Sequence, residues 1–189
     1  IARQLWARPS EQQRHIGLAL DRVDESLGLA ARLGHRVLTC FDEAYPDLLR
    51  AIPDPPVVLW IRGKEALLKE PAVAVVGSRD ATPTSLAVAR TLGRQLAEAG
   101  LTVVSGLARG VDGAAHAGAL DGGGRTIAVL GSGLNRIYPK QHLSLAQQIL
   151  TSGAMGVPLM AASRERTTGI SSGGAPPGRL PTRREKGSA

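Results

Sequence analysis

The chain has 189 residues, of which 43% are hydrophobic but only 3% aromatic, so its core must consist mainly of aliphatic side chains. A single cysteine, Cys40, excludes an internal disulfide and favours the reducing cytoplasm, and no apolar run approaches the ~18 residues of a membrane span. The formal net charge of +7 is only a weak argument for a nucleic-acid partner, because +4 of it lies from Thr151 onward.

The first third of the chain predicts a short N-terminal helical segment, residues 1–34, followed by two short strands. The segment IGLALDRVDESLGLAARLG has apolar residues at helical spacing, and Gly28 and Gly34 are candidate helix ends. The runs RVLTCF and VVLWIRG have the composition of strands, and the prolines between them exclude regular structure there.

From Pro71 onward, strands and helices alternate. The apolar runs AVAVVG, LTVVSG and TIAVLGSG have strand length, and each is followed by helical text: SLAVARTLGRQLAEAG, VDGAAHAGALDGGG and QHLSLAQQIL. Because these strands are apolar on both faces, they are typical of a parallel sheet covered by helices. The predicted fold class is therefore α/β, with a mostly parallel sheet flanked by helices.

The character of the sequence changes after Ser152. The last residues are rich in Gly, Ser, Pro and Arg and have no sustained periodicity, so they cannot bury enough apolar surface to offset their ordering entropy. The predicted organisation is a helical remnant over 1–34, an α/β domain over 35–153, and a disordered basic tail over 154–189.

Small and basic residues follow each of the three apolar strands. In an open parallel sheet, ligands bind at the carboxyl ends of the strands, where helix N-termini also point. Backbone N–H groups exposed at such ends, together with cations, form an anion site. The candidate residues are Gly77, Ser78 and Arg79 after the first strand; Ser105, Gly106, Arg109 and Gly110 after the second; and Gly131, Ser132, Gly133, Asn135, Arg136, Tyr138 and Lys140 after the third.

Other kinds of site fit this sequence less well. It lacks a Walker phosphate loop, and the G-x-G-x-x-G fingerprint of a dinucleotide site does not follow its first strand. Asp112 and His116 lie four residues apart with Ser105 upstream, so a Ser-His-Asp site stays open, although a local structural role is the simpler interpretation. A metal site built on the same pair lacks an obvious third ligand.

A structural role is an alternative for the basic residues too. Arg79 and Arg109 could pair with Asp80 or Asp112, and the segment 138–140 could be a plain loop with a packed tyrosine. Both interpretations stay open on sequence alone.

Three segments, in order and at similar spacing, resemble the signatures of the DprA/Smf family of bacterial DNA-processing proteins. They are VAVVGSR (73–79), VVSGLARGVDGAAHAGAL (103–120) and TIAVLGSGLNRIYPK (126–140), and YPDLLRAIPDPPVVLWIRG (45–63) is also similar to the family's approach to its first strand. The resemblance covers about residues 35–152.

The resemblance implies an extended Rossmann-like fold that binds single-stranded DNA without cutting it and needs no cofactor or metal. It further implies a protein that protects incoming strands in natural transformation, helps to load the RecA recombinase and can form a homodimer. Carried over by position, the implied phosphate-binding residues are Ser78, Arg79, Ser105, Gly106, Arg109, Gly110, Gly131, Gly133 and Lys140.

The chain also departs from the family pattern. Pro83, Asn135 and His142 differ from the residues usual at these places, and none of the family's later text follows Gly153. We interpret the abrupt switch as a reading-frame change or a truncation, which would leave an exposed apolar sheet edge. Two alternatives therefore remain. One is an inactive scaffold. The other is a phosphoribohydrolase of the lysine-decarboxylase-like type: the segment GGGRT (122–126) resembles the glycine loop of those enzymes, but the catalytic glutamate of that loop does not follow it.

Overall fold

The protein forms a six-stranded mixed sheet with helices on one face of its parallel part. A computed structural model describes residues 11–159. The strands are β1 (Arg36–Thr39), β2 (Val58–Gly63), β3 (Ala72–Ala74), β4 (Thr102–Ser105), β5 (Thr126–Val129) and β6 (Ala154–Leu159). The helices are α1 (Glu11–Arg32), α2 (Asp47–Arg50), α3 (Pro83–Glu98), α4 (Val111–Asp121) and α5 (Leu143–Ser152).

The order of the strands in the sheet is β1-β2-β6-β5-β4-β3. The strands β3 to β6 run parallel to one another, whereas β1 and β2 form an antiparallel pair in which β2 also lies antiparallel to β6. Because each parallel strand lies next to its predecessor, the carboxyl ends of β3, β4 and β5 meet at one edge of the sheet. The prediction of a mostly parallel α/β sheet is confirmed.

The main core lies between the parallel strands and helices α3, α4 and α5. Val103 of β4 packs against Ala97 of α3 and Ala115 of α4, while Met155 of β6 packs against Ile149 of α5. The alternate residues of the strands face the opposite side, where the 3₁₀ segment Glu65–Lys69 covers a smaller cluster. The α-helices therefore cover one face of the parallel strands, and the 3₁₀ segment covers part of the other.

The sequence explains how α3 and α4 come so close together. A Cβ on Gly93 would overlap the carbonyl of Ala115, and one on Gly118 would overlap the carbonyl of Arg90. Their missing side chains let the two backbones touch, which fixes where α4 begins at the carboxyl edge of the sheet.

The structure differs from the sequence prediction at the end of the domain. Residues 154–159, expected to begin the tail, form β6 and pair with both β5 and β2 in the middle of the sheet. Met155 and Val157 alternate toward the helices with the period of a strand, but the apolar run ends at Ala162 and a sequence rich in Gly, Ser, Pro and Arg follows it. The rest of the predicted tail (160–189) and residues 1–10 lie outside the described part.

The N-terminal helix and the edge strand also differ from expectation. Helix α1 continues through Gly28, since one glycine costs a helix only about 1 kcal/mol. Strand β3 lies at the sheet edge, and Val76, just beyond it, is 75% exposed rather than buried. None of the described helices is long and apolar enough to cross a membrane.

Candidate functional site

A cavity of about 230 Å³ lies where the carboxyl ends of β3, β4 and β5 meet. The residues that line it come from the loops after all three strands: Arg79, Gly106, Ala108, Arg109, Leu130, Gly131, Ser132 and Tyr138. The sequence-based set of phosphate-binding candidates contributes Arg79, Gly106, Arg109 and Gly131 to this lining. A cavity of this size is below the ~300–1,000 Å³ usual for small-molecule sites, so it suits one unit of a polymer better than a whole dinucleotide.

The loop after β4 packs directly on the loop after β3. Gly110 has a φ of +81°, and a Cβ there would overlap the carbonyl oxygen of Ser78, so only glycine fits. The amide of Val111 donates a hydrogen bond to the same carbonyl at 3.1 Å. Ser78 and Gly110 therefore join two walls of the site and do not line the cavity.

Some of the polar groups of the β4–α4 turn are already used within the protein. The hydroxyl of Ser105 donates to the carbonyl of Val75 at 2.6 Å, and the amide of Gly106 donates to the carboxylate of Asp112 at 3.0 Å. At the start of α4, the amide of Gly113 donates to the carbonyl of Ala108. The amides of Gly106 and Gly113 are therefore taken, whereas those of Ala108, Arg109 and Asp112 have no acceptor within residues 11–159, so part of the N–H groups expected to meet an anion is available.

Positive charge is available at the cavity as well. Arg79 forms no ion pair within residues 11–159, and its side chain lines the cavity. Arg109 lies 3.9 Å from a carboxylate oxygen of Asp80, but the two side chains are 53% and 90% exposed. An exposed pair of this kind is worth at most about 1 kcal/mol, so it leaves Arg109 free to bind an anion.

The loop after β5 supplies the third wall. A Cβ on Gly131 would meet no atom within 4 Å, so this glycine leaves the cavity open. Tyr138 lines the cavity and is 65% exposed, which decides against the packed tyrosine that the sequence had left open. Lys140 and Gly133 lie on the same loop but outside the lining, and Lys140 is exposed.

The Ser-His-Asp arrangement is not assembled. His116 is fully buried, and its Nδ1 contacts the hydroxyl of Thr126 at 2.6 Å. Since that hydroxyl donates to the carbonyl of Val103, Nδ1 of His116 must carry the hydrogen. Burial lowers the pKa of His116 to about 4, against the opposing effect of the Asp112 charge. The imidazole is neutral at pH 7, and it contacts neither the cavity nor the hydroxyl of Ser105.

The glycine loop of the phosphoribohydrolase alternative lies far from the cavity. Residues 122–125 connect the end of α4 to the start of β5, and α4 begins at the edge of the sheet that carries the cavity. The loop is therefore at the opposite edge, where it cannot contribute to a site at the strand ends.

Comparison with known proteins identifies the family of this chain. The family model of DNA recombination-mediator protein A matches residues 36–166. Protein Smf of Escherichia coli is 36% identical over 170 residues, which are 86% of this chain and 46% of that protein. The chain thus spans about half the length of this curated relative.

Two solved structures are similar as well. The X-ray structure of DNA processing protein A from Streptococcus pneumoniae superposes with a TM-score of 0.62 at 39% identity, over 67% of this chain and 44% of that one. The structure of DNA processing protein A from Helicobacter pylori gives a TM-score of 0.55 at 35% identity, over 65% and 54% of the two chains. The chain therefore belongs to the family of DNA recombination-mediator protein A.

Proposed function

We propose that this protein binds the phosphate backbone of single-stranded DNA at the cavity between the ends of β3, β4 and β5. In this role it protects incoming strands and helps to load the RecA recombinase, and it does not cut the DNA. The chain acts in the cytoplasm, where its single Cys40 stays reduced.

The observation that carries the proposal is the pair of available guanidinium groups, Arg79 and Arg109, beside a small cavity with glycine walls. Guanidinium groups bind phosphate oxygens in a bidentate way, and Gly131 leaves room for a sugar-phosphate chain to approach. The H. pylori relative is described by its single-stranded DNA binding mode, which supports the same ligand here.

The exposed ring of Tyr138 adds a second kind of contact. A nucleobase attached to the bound phosphate could stack on this ring, and such stacking is worth about 1–3 kcal/mol per base without preference for sequence. The combination of cationic groups and one aromatic surface is typical of proteins that bind single strands of any sequence.

The absence of cutting is part of the proposal. Among the residues that line the cavity, the side chains with acid–base chemistry are arginines and one tyrosine, and His116 is buried elsewhere. The contact with RecA and the formation of a homodimer are also proposals. The chain covers only part of its relatives' length, so interactions of the whole proteins are not carried over to it as facts.

Fluorescence anisotropy of a labelled oligo-dT strand, titrated with the protein at several salt concentrations, tests the proposal. Arg79→Ala should weaken binding and flatten the plot of log affinity against log salt by about 0.7, the value for one phosphate contact on a single strand. Arg94→Ala is the matched control. It removes the same charge, but Arg94 lies near the end of α3, at the opposite edge of the sheet.

Equal slopes for the parent and Arg79→Ala would place the DNA elsewhere on the molecule. A folded parent that does not bind the strand would contradict the proposal as a whole. Release of free base from a nucleoside monophosphate would favour the phosphoribohydrolase alternative.

A further inference from the structure

The turn between β4 and α4 has an unusual backbone at Leu107. Its φ is +56°, the one positive value at a non-glycine residue in the described part of the chain. The side chain is fully buried in the main core, so glycine could not replace it without leaving a void. A left-handed conformation costs a residue of this kind roughly 1–2 kcal/mol, so the surrounding structure must hold the turn in place.

Most of the bonds that hold the turn come from its immediate neighbours. Ser105 is tied to β3 through the carbonyl of Val75, and Gly106 is tied to the first turn of α4 through Asp112. These two contacts lie before Leu107. The hydrogen bond from Gly113 to Ala108 follows it.

One bond reaches Leu107 itself, and it comes from a different loop. The Nδ1 atom of His142 lies 2.9 Å from the carbonyl oxygen of Leu107, which is an acceptor only, so Nδ1 must carry a hydrogen and donate it. His142 lies at the end of the loop after β5, immediately before α5. The bond therefore connects the second wall of the cavity to the third.

The surface of α4 is shaped to accept the His142 ring. A Cβ on Gly113 would lie 2.6 Å from Cε1 of His142 and 3.0 Å from Nε2, so the ring occupies the space that a side chain would take there. The ring is thus seated between α4 and the turn, with one nitrogen directed at Leu107.

We propose that His142 is a positioning residue for DNA binding: it fixes the Leu107 carbonyl and so holds Ala108 and Arg109 at the cavity. This inference rests on the function proposed above. His142 does not line the cavity and need not touch the DNA, so its effect must pass through the turn and its Arg109.

The side-chain geometry defines informative variants. In His142→Asn, the amide nitrogen takes a place close to that of Nδ1 and can still donate to Leu107, whereas His142→Leu removes the donor at a similar size. In His142→Gln the side chain is one methylene longer than in His142→Asn, so its amide nitrogen cannot take the place of Nδ1. It offers a second loss-of-donor variant if His142→Leu does not fold.

A double-mutant cycle on oligo-dT binding tests the route of the effect. His142→Leu should weaken binding roughly fivefold, as expected for the loss of one hydrogen bond, and His142→Asn should restore most of it. The loss should disappear in an Arg109→Ala background, because substitutions at two residues that act together do not have additive effects on the binding free energy. It should persist in an Arg79→Ala background, because substitutions at independent residues do have additive effects. Equal losses in both backgrounds, or no loss, would overturn the proposal.

Amide hydrogen exchange separates this inference from the proposed function. In His142→Leu, the amides of Gly106, Val111 and Gly113, which are hydrogen-bonded around the turn, should exchange faster, while those of α3 keep the parental rate. If the parent does not bind DNA, the proposed function fails, and the exchange result still decides whether His142 holds the turn. Unchanged exchange at the amides of Gly106, Val111 and Gly113 would refute the positioning role in either case.

Discussion

Lowering the pH from 7 to 4 should destabilise this protein through His116. The imidazole is fully buried, and burial lowers its pKa from the ordinary 6.5 to about 4. As the pH falls through 6.5, the unfolded chain takes up a proton on this histidine, but the folded protein does not until the pH nears 4. The free energy of unfolding therefore falls within this window and levels off below it.

The magnitude follows from the difference between the two pKa values. A difference of about 2.5 units at 1.36 kcal/mol per unit gives a loss of about 3 kcal/mol across the window. The pKa of His35 is also lowered, by burial first and by Arg62 second, so it adds a loss of the same sign. The lowered pKa values of Asp42 and Asp121 act only below about 3.8, outside this window.

Urea unfolding at half-unit steps between pH 7.5 and 4 measures the effect, with His116→Asn as the key variant. Asparagine can keep the donor to Thr126 but does not titrate, so its free energy of unfolding should vary much less with pH, whatever its absolute value. His35→Asn, as the matched control, should remove only its own smaller share. Parallel pH profiles for the parent and His116→Asn would refute the reasoning.

Three further predictions concern the site and the helices that support it. Asp80→Asn should tighten oligo-dT binding roughly twofold at low salt and less at high salt, since it removes a carboxylate 3.9 Å from Arg109; anisotropy at two salt concentrations measures this. Gly118→Ala should lower the free energy of unfolding by about 1–3 kcal/mol in urea, because its Cβ would overlap the carbonyl of Arg90. Thr82→Ala should lower the free energy of unfolding by about 1 kcal/mol, measured by thermal unfolding, since the Thr82 hydroxyl caps α3 by accepting a hydrogen bond from the amide of Ser85 at 3.2 Å.

The periodicity of the sequence was sufficient to predict most of the fold. The apolar runs that became β4 and β5 are bounded by glycines, and the helical text between them has one clear reading, so their order predicted the parallel sheet and the edge at which a site would lie. Strand β6 was not predicted because its pairing depends on β2, which is distant in sequence and runs antiparallel to it. Contacts of that kind have no local signature.

The composition of the site was only partly predictable, because the sequence does not distinguish a glycine that is required by close packing from one that leaves space open. Gly110 is required because the carbonyl of Ser78 lies directly behind it, whereas Gly131 faces open space, and this difference is visible only in the structure. Whether Tyr138 is packed or exposed stayed open for a similar reason, since the exposure of a lone aromatic depends on which loops surround it. The available signal was its place after the third strand, two residues before the candidate Lys140.

The way the β4–α4 turn is bonded decides what kind of binding the site can support. Free amides at the start of a helix select an anion by direction and geometry. Here the amides of Gly106, Val111 and Gly113 already have acceptors within the protein, so only part of the turn can bind an anion in this way, and the guanidinium groups of Arg79 and Arg109 supply the positive charge. Binding through exposed charges is weakened by salt and is indifferent to base identity. Those two properties match the proposed binding of single strands of any sequence.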